Sequence, residues 1–179
     1  GAEYTRIHVT RGGRLLRDYL IEVGMAEFAA SCAAVLHFTG YERPIASIRI
    51  ADPLQRLVGS LLGAADIIAQ MADRCYLEKC HERLYPEFVE GGIARRWTEA
   101  GEEVVFQSPD DLIRKTPGFF VGASKRLETD LGGAHAYAGA HFGGENLYWE
   151  AVQRNIRFAQ RLGEQNEVLL RRKPPSTIA

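Results

Sequence analysis

Two histidines and one aspartate carry the chemistry that this sequence offers most clearly: His8, His37 and Asp66. Each falls on the inward or small-residue face of a different predicted helix. Imidazole and carboxylate ligands together suit first-row divalent metals, and side chains from separate helices can converge in a bundle core to hold a metal or a phosphate. These residue types predict a metal site in which Asp66 is a metal ligand or the catalytic acid–base group. Two core histidines hydrogen-bonded to backbone or carboxylate groups fit the same pattern.

Asp66 belongs to a stripe of polar and small residues on the third predicted helix. The stripe is narrow at 3.6 residues per turn, with apolar residues around it, and its members are Gly59, Gly63, Asp66, Gln70 and Asp73. A helix that is apolar nearly all round is expected to be buried, and a buried carboxylate needs a metal, a cation or several hydrogen-bond donors. The glycines would admit a second backbone or a ligand. Gln70 and Asp73 would then orient Asp66 or a water; alternatively, the two aspartates form salt bridges with arginines.

A predicted loop of small residues, 132–144, contains His135 and His141. It is a candidate lid over a pocket, or else a mobile surface loop. His81 lies in a charged segment and is expected on a solvated face. The sequence has no G-x-x-x-x-G-K-[ST], G-x-S-x-G, C-x-x-C or H-E-x-x-H motif, so it lacks the common signatures of phosphate loops, serine hydrolases and zinc peptidases.

Helical periodicity dominates the chain and predicts an all-α fold. The predicted helices cover 5–23, 25–38, 119–131 and 145–171, with another beginning at 108–111 and a helical pattern that runs from about Pro53 until Gly91 and Gly92 close it. The axis is expected to change at 73–75, and 102–106 to form a short extended piece. Pro117 is expected to interrupt its helix, because proline lacks the N–H that a helix interior needs.

Composition limits the classes of protein and partner. With 179 residues, of which 46% are hydrophobic, the chain is long enough for one domain with a buried core. A formal net charge of −1 gives no electrostatic case for binding nucleic acid or an anionic membrane. We find no apolar run of membrane-spanning length and no signal-peptide pattern. Three cysteines (Cys32, Cys75 and Cys80) without zinc-ligand spacing predict free thiols in a reducing cytoplasm.

Three stretches together resemble a bacterial branch of the HD-domain superfamily, the metal-dependent phosphohydrolases. They read GAEYTRIHVTRGGRLLRDYL, VLHFTGYERP and LLGAADIIAQMADRCYLEKCHERLYPEF, and the resemblance covers roughly residues 1–92. It implies a helical bundle of HD-domain type, with a looser C-terminal part that ends in a long helix. It also implies one or two divalent metals held by scattered histidines and aspartates, among which His8, His37 and Asp66 match three ligands.

The resemblance leaves part of the ligand set unmatched. None of the five histidines is followed by aspartate, so the family's early histidine and His-Asp dyad have no counterpart and are expected upstream of Gly1. The chain is accordingly expected to be an HD-like core (1–92) lacking its N-terminal part, with a helical extension (93–179) packed on it in a single domain. The expected reaction is hydrolysis of a phosphomonoester, phosphodiester or nucleotide with Mn, Fe, Mg or Ni, and little hydrolysis if the ligand set is incomplete.

A non-catalytic domain is the alternative interpretation. Such a domain would sense or bind a ligand, or would form a homodimer through its C-terminal helix. The missing dyad favours this alternative, whereas the polar stripe around Asp66 favours the enzyme. Metal content of the purified protein would separate the two.

Overall fold

The computed structural model describes residues 4–99 and 101–176, and nearly all of the regular structure is helical. The α-helices are α1 (His8–Glu22), α2 (Ala26–Leu36), α3 (Pro53–Ala72), α4 (Tyr76–Lys79), α5 (Tyr85–Glu90), α6 (Pro109–Lys125), α7 (Ala138–His141) and α8 (Leu147–Gly163). Short 3-10 helices (Ile45–Ser47 and Ala134–Tyr137) and π-helical turns (Cys80–Leu84 and Arg126–Asp130) lie between them. Two strands, β1 (Arg95–Thr98) and β2 (Gly101–Val104), form an antiparallel hairpin. The predicted mostly helical class is confirmed.

The chain divides into two compact units. The α1–α3 unit comprises Arg6–Ala69 and Ala123–Leu147. The α8 unit comprises the described residues of Gly1–Thr5, Gln70–Gly122 and Tyr148–Ala179. Each unit therefore combines segments that are distant in sequence. Residue 92, the expected end of the HD-like core, lies inside the α8 unit.

Two glycines in the middle of α1 allow close packing against α2. A Cβ on Gly13 would lie 3.4 Å from the carbonyl oxygen of Ala33, and one on Gly12 would lie 3.4 Å from a methyl carbon of Leu36. Each glycine costs about 1 kcal/mol of helix propensity relative to alanine. The close approach explains why small residues are used here.

Phe38, two residues after the end of α2, packs against the stripe glycines Gly59 and Gly63 of α3. Phe38 is 0% exposed. A Cβ on Gly59 would lie 2.8 Å from its ring, and a Cβ on Gly63 would lie 2.5 Å from its carbonyl oxygen. The prediction that these glycines admit a second backbone is confirmed, and the group that approaches them is Phe38.

The expectation that α3 is buried nearly all round is wrong. Its packed face includes Ala64, Ile67, Ile68 and Met71, which are at most 7% exposed. Its first turns present another face to solvent, where Leu54, Leu57, Val58 and Leu62 are 38–71% exposed. Apolar composition overestimated the burial because it does not show on which side a helix has neighbours.

The α8 unit is built around a buried apolar cluster. The cluster draws on α4, the π-turn after it, α6 and α8, and its members are Leu77, Cys80, Leu112, Ile113, Ala159 and Leu162. Val168 and Leu170, from the segment after α8, pack against it. The apolar face of α8 is thus buried within its own chain.

Two predicted helix boundaries are wrong. α6 continues through Pro117, because packing holds the helix on both sides of the proline: Ile113 is 0% exposed, and the Phe120 ring lies 5.9 Å from that of Trp149. The last helix ends at Gly163 rather than near Arg171. The irregular segment that follows is fixed in another way, since the backbone N–H of Arg172 donates to Glu78 at 3.0 Å.

The predicted loop 132–144 is also wrong, since it contains the 3-10 helix Ala134–Tyr137 and α7. Gly132 and Gly133 adopt positive φ angles of 61° and 70°, which turn the chain, and the alanine-rich segment behind them then forms helical turns. In the part of the chain that the structure describes, no helix has the length and apolar character needed to cross a membrane.

Candidate functional site

A pocket of about 290 Å³ lies between α1 and the end of α2. Its lining combines small residues with polar and cationic ones: Thr10, Gly13, Arg14, Arg17, Ala33, Ala34, His37 and Arg43. We call it the His37 pocket. Gly13 lies beside the imidazole, and a Cβ at that position would be 3.8 Å from Nε2 of His37. The glycine that brings the helices together therefore also keeps the space next to His37 open.

The His37 pocket is cationic. It has three arginines and no carboxylate in its lining. Arg17 pairs with Asp18 at 3.1 Å. Arg14 and Arg43 have no ion-pair partner among the residues that the structure describes. Because guanidinium groups stay charged at all relevant pH values and match phosphate oxygens in geometry, this lining is suited to an anion.

The carboxylate of Glu42, the residue before Arg43, accepts hydrogen bonds from the start of α1. Glu42 accepts hydrogen bonds from the backbone N–H groups of Val9 at 2.8 Å and Thr10 at 3.0 Å, and also from the Thr10 hydroxyl. Ile7, at the cap position, offers no side-chain hydrogen bond of its own. Burial raises the pKa of the Glu42 carboxyl, but these hydrogen bonds and the charge of His8 outweigh burial and leave the pKa lowered. Glu42 therefore caps α1 as a carboxylate.

His37 has a ring nitrogen that is available for a polar partner. Its Nδ1 atom is buried and has no hydrogen bond within the described residues. Burial lowers the pKa of His37, the charge of Arg43 lowers it further, and Glu42 opposes both. The imidazole is consequently neutral at neutral pH, and an anion in the pocket would stabilise its protonated form.

The other two predicted metal ligands lie elsewhere in the same unit. His8 is the first residue of α1 and is exposed. Asp66 is half-buried on α3. Burial raises the pKa of Tyr41, and the charge of Asp66 raises it further, whereas the charge of Arg126 lowers it. Across residues 4–99 and 101–176, no three histidine, cysteine, aspartate or glutamate side chains form a group that could hold a metal ion. Within the described residues, His8, His37 and Asp66 therefore do not form a three-ligand group.

The two residues predicted to orient Asp66 are Gln70 and Asp73. Gln70 is exposed. Asp73 forms an ion pair with Lys79 and accepts a hydrogen bond from the Cys75 backbone N–H at 2.7 Å. The alternative interpretation expects a salt bridge at Asp73, and the ion pair is of that type, although its partner is a lysine rather than an arginine.

The two histidines of the predicted lid have different surroundings. His135 is 7% exposed, and its Nε2 atom lies 3.3 Å from a carboxylate oxygen of Glu128. Its carbonyl oxygen accepts a hydrogen bond from the Asn146 amide at 2.9 Å. His141 is exposed, with its ring edge-on to that of Phe142. A role over a pocket stays a prediction for both residues.

Sequence reasoning identified His37 but missed the arginines around it. Arg14 and Arg17 lie three residues apart on α1, hence on one face, and Arg43 follows α2 by several residues. Small residues line the contact between α1 and α2, and charged residues at the edge of such a contact face a common space. This pattern is the signal that could have indicated the arginines. The pairing of the two helices was needed to recognise it.

The fold and the pocket together define the class of protein: a mostly helical domain with a cationic, histidine-containing pocket. No protein-family model matches the sequence, and no curated protein or solved structure shows a significant match.

Proposed function

We propose that this chain is a ligand-sensing domain that binds a small phosphorylated molecule in the His37 pocket. The observation that carries the proposal is the lining, in which Arg14 and Arg43 are without ion-pair partners in the described chain and no carboxylate faces the space. Each guanidinium can donate two parallel hydrogen bonds to phosphate oxygens. The Thr10 hydroxyl and the His37 ring would add further polar contacts.

The size of the pocket favours a small ligand over a macromolecule. About 290 Å³ is close to the lower end of the range for small-molecule sites. The chain as a whole has a formal net charge of −1, so its positive charge is local rather than a broad basic surface of the kind that binds nucleic acid. Homodimerisation through the last helix has less support than ligand binding, because the apolar face of α8 is already packed in the core of its unit.

Calorimetric titration of the full chain with inorganic phosphate and with glycerol phosphate tests the proposal. Arg43→Gln is expected to weaken binding about tenfold or more, since a charge-assisted hydrogen bond contributes about 1.5–3 kcal/mol. Arg49→Gln is the matched control, because Arg49 is exposed in the same unit and lies outside the pocket. Failure of both anions to bind, or equal weakening by the two variants, would refute the proposal.

Metal-dependent hydrolysis of HD type is the second candidate. The feature that favours it is the neutral imidazole of His37 with a free Nδ1 atom, since neutral imidazole is the form that ligates metals. The decisive measurements are the metal content of purified protein and hydrolysis of a generic phosphomonoester and phosphodiester with added Mn²⁺. Stoichiometric metal that is lost in Asp66→Ala, together with turnover, would favour the enzyme; phosphate binding by metal-free protein without turnover would favour the sensor.

A further inference from the structure

A second pocket, of about 360 Å³, lies entirely within the α8 unit. It is formed by α8, the end of α3 and the segment that follows α8. Five arginines line it, and we call it the arginine pocket: Arg74, Arg154, Arg161, Arg171 and Arg172. The lining contains no carboxylate. The chain has 22 lysines and arginines in total, so a large share of its cationic side chains meets around this one space.

The charges of the arginine pocket are mostly left without counterions. Arg154 pairs with Glu150 at 3.4 Å, and that pair is exposed. The other four arginines have no ion-pair partner in the described part of the chain. Two carboxylates on neighbouring elements are already engaged, since Asp73 pairs with Lys79 and Glu78 accepts the backbone N–H of Arg172.

Phe158 positions two of the guanidinium groups. The guanidinium carbon of Arg161 lies 5.7 Å from the centre of the Phe158 ring, and that of Arg171 lies 4.9 Å from it. Both distances are within the range of a cation–π interaction. Arg154, Phe158 and Arg161 follow one another at spacings of four and three residues on α8, which places them on one face of the helix. The two cations are thus held close together without a neutralising carboxylate.

Hydrogen bonds between the walls fix the shape of the pocket. The amide of Asn155, on α8, donates to the carbonyl oxygens of Met71 and Asp73, both at 2.8 Å. The guanidinium of Arg172 donates to the carbonyl oxygen of Arg74. The end of α3, the middle of α8 and the C-terminal segment are therefore joined at the pocket, which reduces the ordering cost that a ligand would otherwise meet.

We infer that the arginine pocket binds a ligand with two or more linked phosphate groups, such as inorganic pyrophosphate or the phosphates of a nucleoside diphosphate. One phosphate offers few oxygens for a pocket lined by several forked guanidinium groups, whereas linked phosphates offer more oxygens over a longer span. The His37 pocket, with three arginines, suits a single phosphate. The two sites are in different units and have no lining residue in common.

Titration calorimetry of the full chain with pyrophosphate, ADP and orthophosphate tests the inference. Pyrophosphate is expected to bind at least about tenfold more tightly than orthophosphate, and Arg171→Gln to weaken pyrophosphate binding by about tenfold or more. Arg171→Lys keeps the charge but loses the fork, so we expect an intermediate loss. ADP that binds as tightly as pyrophosphate would identify the phosphates as the recognised group, and ADP that binds more tightly would identify a nucleotide.

Two matched variants serve as controls. Arg157→Gln removes the same charge from an exposed position of α8 outside the pocket and is expected to leave the affinity unchanged. Arg43→Gln, in the His37 pocket, is expected to leave pyrophosphate binding unchanged as well, so this inference and the proposed function can fail separately. The inference is overturned if pyrophosphate does not bind, if orthophosphate binds the Arg43→Gln variant as tightly as pyrophosphate does, or if either control weakens pyrophosphate binding as much as Arg171→Gln. Melting temperatures establish that the variants are folded.

Discussion

The guanidinium of Arg126 donates a hydrogen bond to the carbonyl oxygen of Phe38 at 2.9 Å, and the same nitrogen reaches the carbonyl oxygen of Gly40 at 2.6 Å. The guanidinium also lies 4.3 Å from the centre of the Tyr41 ring. Arg126 is only 6% exposed. A buried cation thus fixes the turn after α2, the segment that packs against the glycine stripe of α3 and continues into the His37 pocket.

Replacing Arg126 should destabilise the protein strongly. We expect Arg126→Ala to lower the free energy of unfolding by about 3 kcal/mol, because it leaves two buried carbonyl oxygens without a charged donor and removes the contact with Tyr41. Urea unfolding measures the change. Lys125→Ala, the exposed neighbour, should stay within about 0.5 kcal/mol of the parent protein. A loss below about 1 kcal/mol in Arg126→Ala would mean that the turn is held by other contacts.

Two glycine-to-alanine substitutions should have opposite effects on stability. Gly63→Ala places a methyl group 2.5 Å from the carbonyl oxygen of Phe38, and because a backbone atom cannot move aside cheaply, we expect a loss of about 1–3 kcal/mol. Gly122→Ala, within α6, meets no atom within 4 Å, so its better helix propensity should add about 0.5–1 kcal/mol. Thermal unfolding of both variants checks the pair, and a stabilised Gly63→Ala would contradict the packing of Phe38 on α3.

Local sequence signals were sufficient where a helix depends on its own residues. The start of α3 at Pro53 and the end of α5 before Gly91 follow from proline and glycine chemistry. The glycine stripe of α3 also predicted a close neighbour correctly. Local signals failed at Pro117 and Gly163, because packing within the unit keeps α6 helical and holds the segment after α8 without a helix.

The candidate site depends on contacts that are distant in sequence, which explains why less of it could be predicted. The hydroxyl of Thr5, shortly before α1, donates to Glu87, and Glu42 caps α1 from 33 residues away. The arginine pocket likewise joins Arg74 to Arg171 and Arg172. No spacing rule connects such positions, because each depends on which helices become neighbours.

Glu42 should make stability depend on pH in the acid range. Its pKa in the folded protein is lowered from the ordinary value of 4.5 by the hydrogen bonds from Thr10 and Val9, which outweigh burial. A lowered carboxyl pKa contributes stability that is present above the unfolded pKa and is lost as the pH falls through the folded pKa. Glu42→Gln should cost about 1–2 kcal/mol at pH 7 and much less at pH 3. An equal cost at both pH values, measured by urea unfolding, would rule out the charged cap.

The cysteines should differ in reactivity. Burial raises the pKa of the Cys80 thiol to about 11, against the effect of a hydrogen bond from Tyr76, and Cys75 is only 2% exposed. All three thiols are free, and Cys32 is half-buried. Because the thiolate is the reactive form, we expect iodoacetamide at pH 8 to label Cys32 in the native protein and all three thiols after unfolding. Mass spectrometry identifies the labelled residues; rapid native labelling of Cys80 would contradict its burial.

His37 provides a pH-dependent signal for the proposed function. Its folded pKa is lowered from 6.5, by burial first and then by Arg43, with Glu42 opposing. In the pH range between the folded pKa and 6.5, the unfolded chain binds the extra proton, so the contribution of His37 to stability is intact above pH 6.5 and declines as the pH falls below that value. The ring protons of His37 should therefore titrate with a midpoint below 6.5 in the free protein, as measured by NMR. Arg43→Gln should move this midpoint upward, because it removes one of the two lowering causes, whereas Arg49→Gln should not.

Addition of phosphate should also raise the midpoint of His37, because an anion beside Arg14 and Arg43 stabilises the imidazolium form. By linkage, each ionic form of phosphate must then bind more tightly as the pH falls through this midpoint. The shift and the affinity change are two measurements of one coupling, so they should agree in size. Phosphate that binds the chain without moving the His37 midpoint would occupy another site, and the function proposed for the His37 pocket would be wrong.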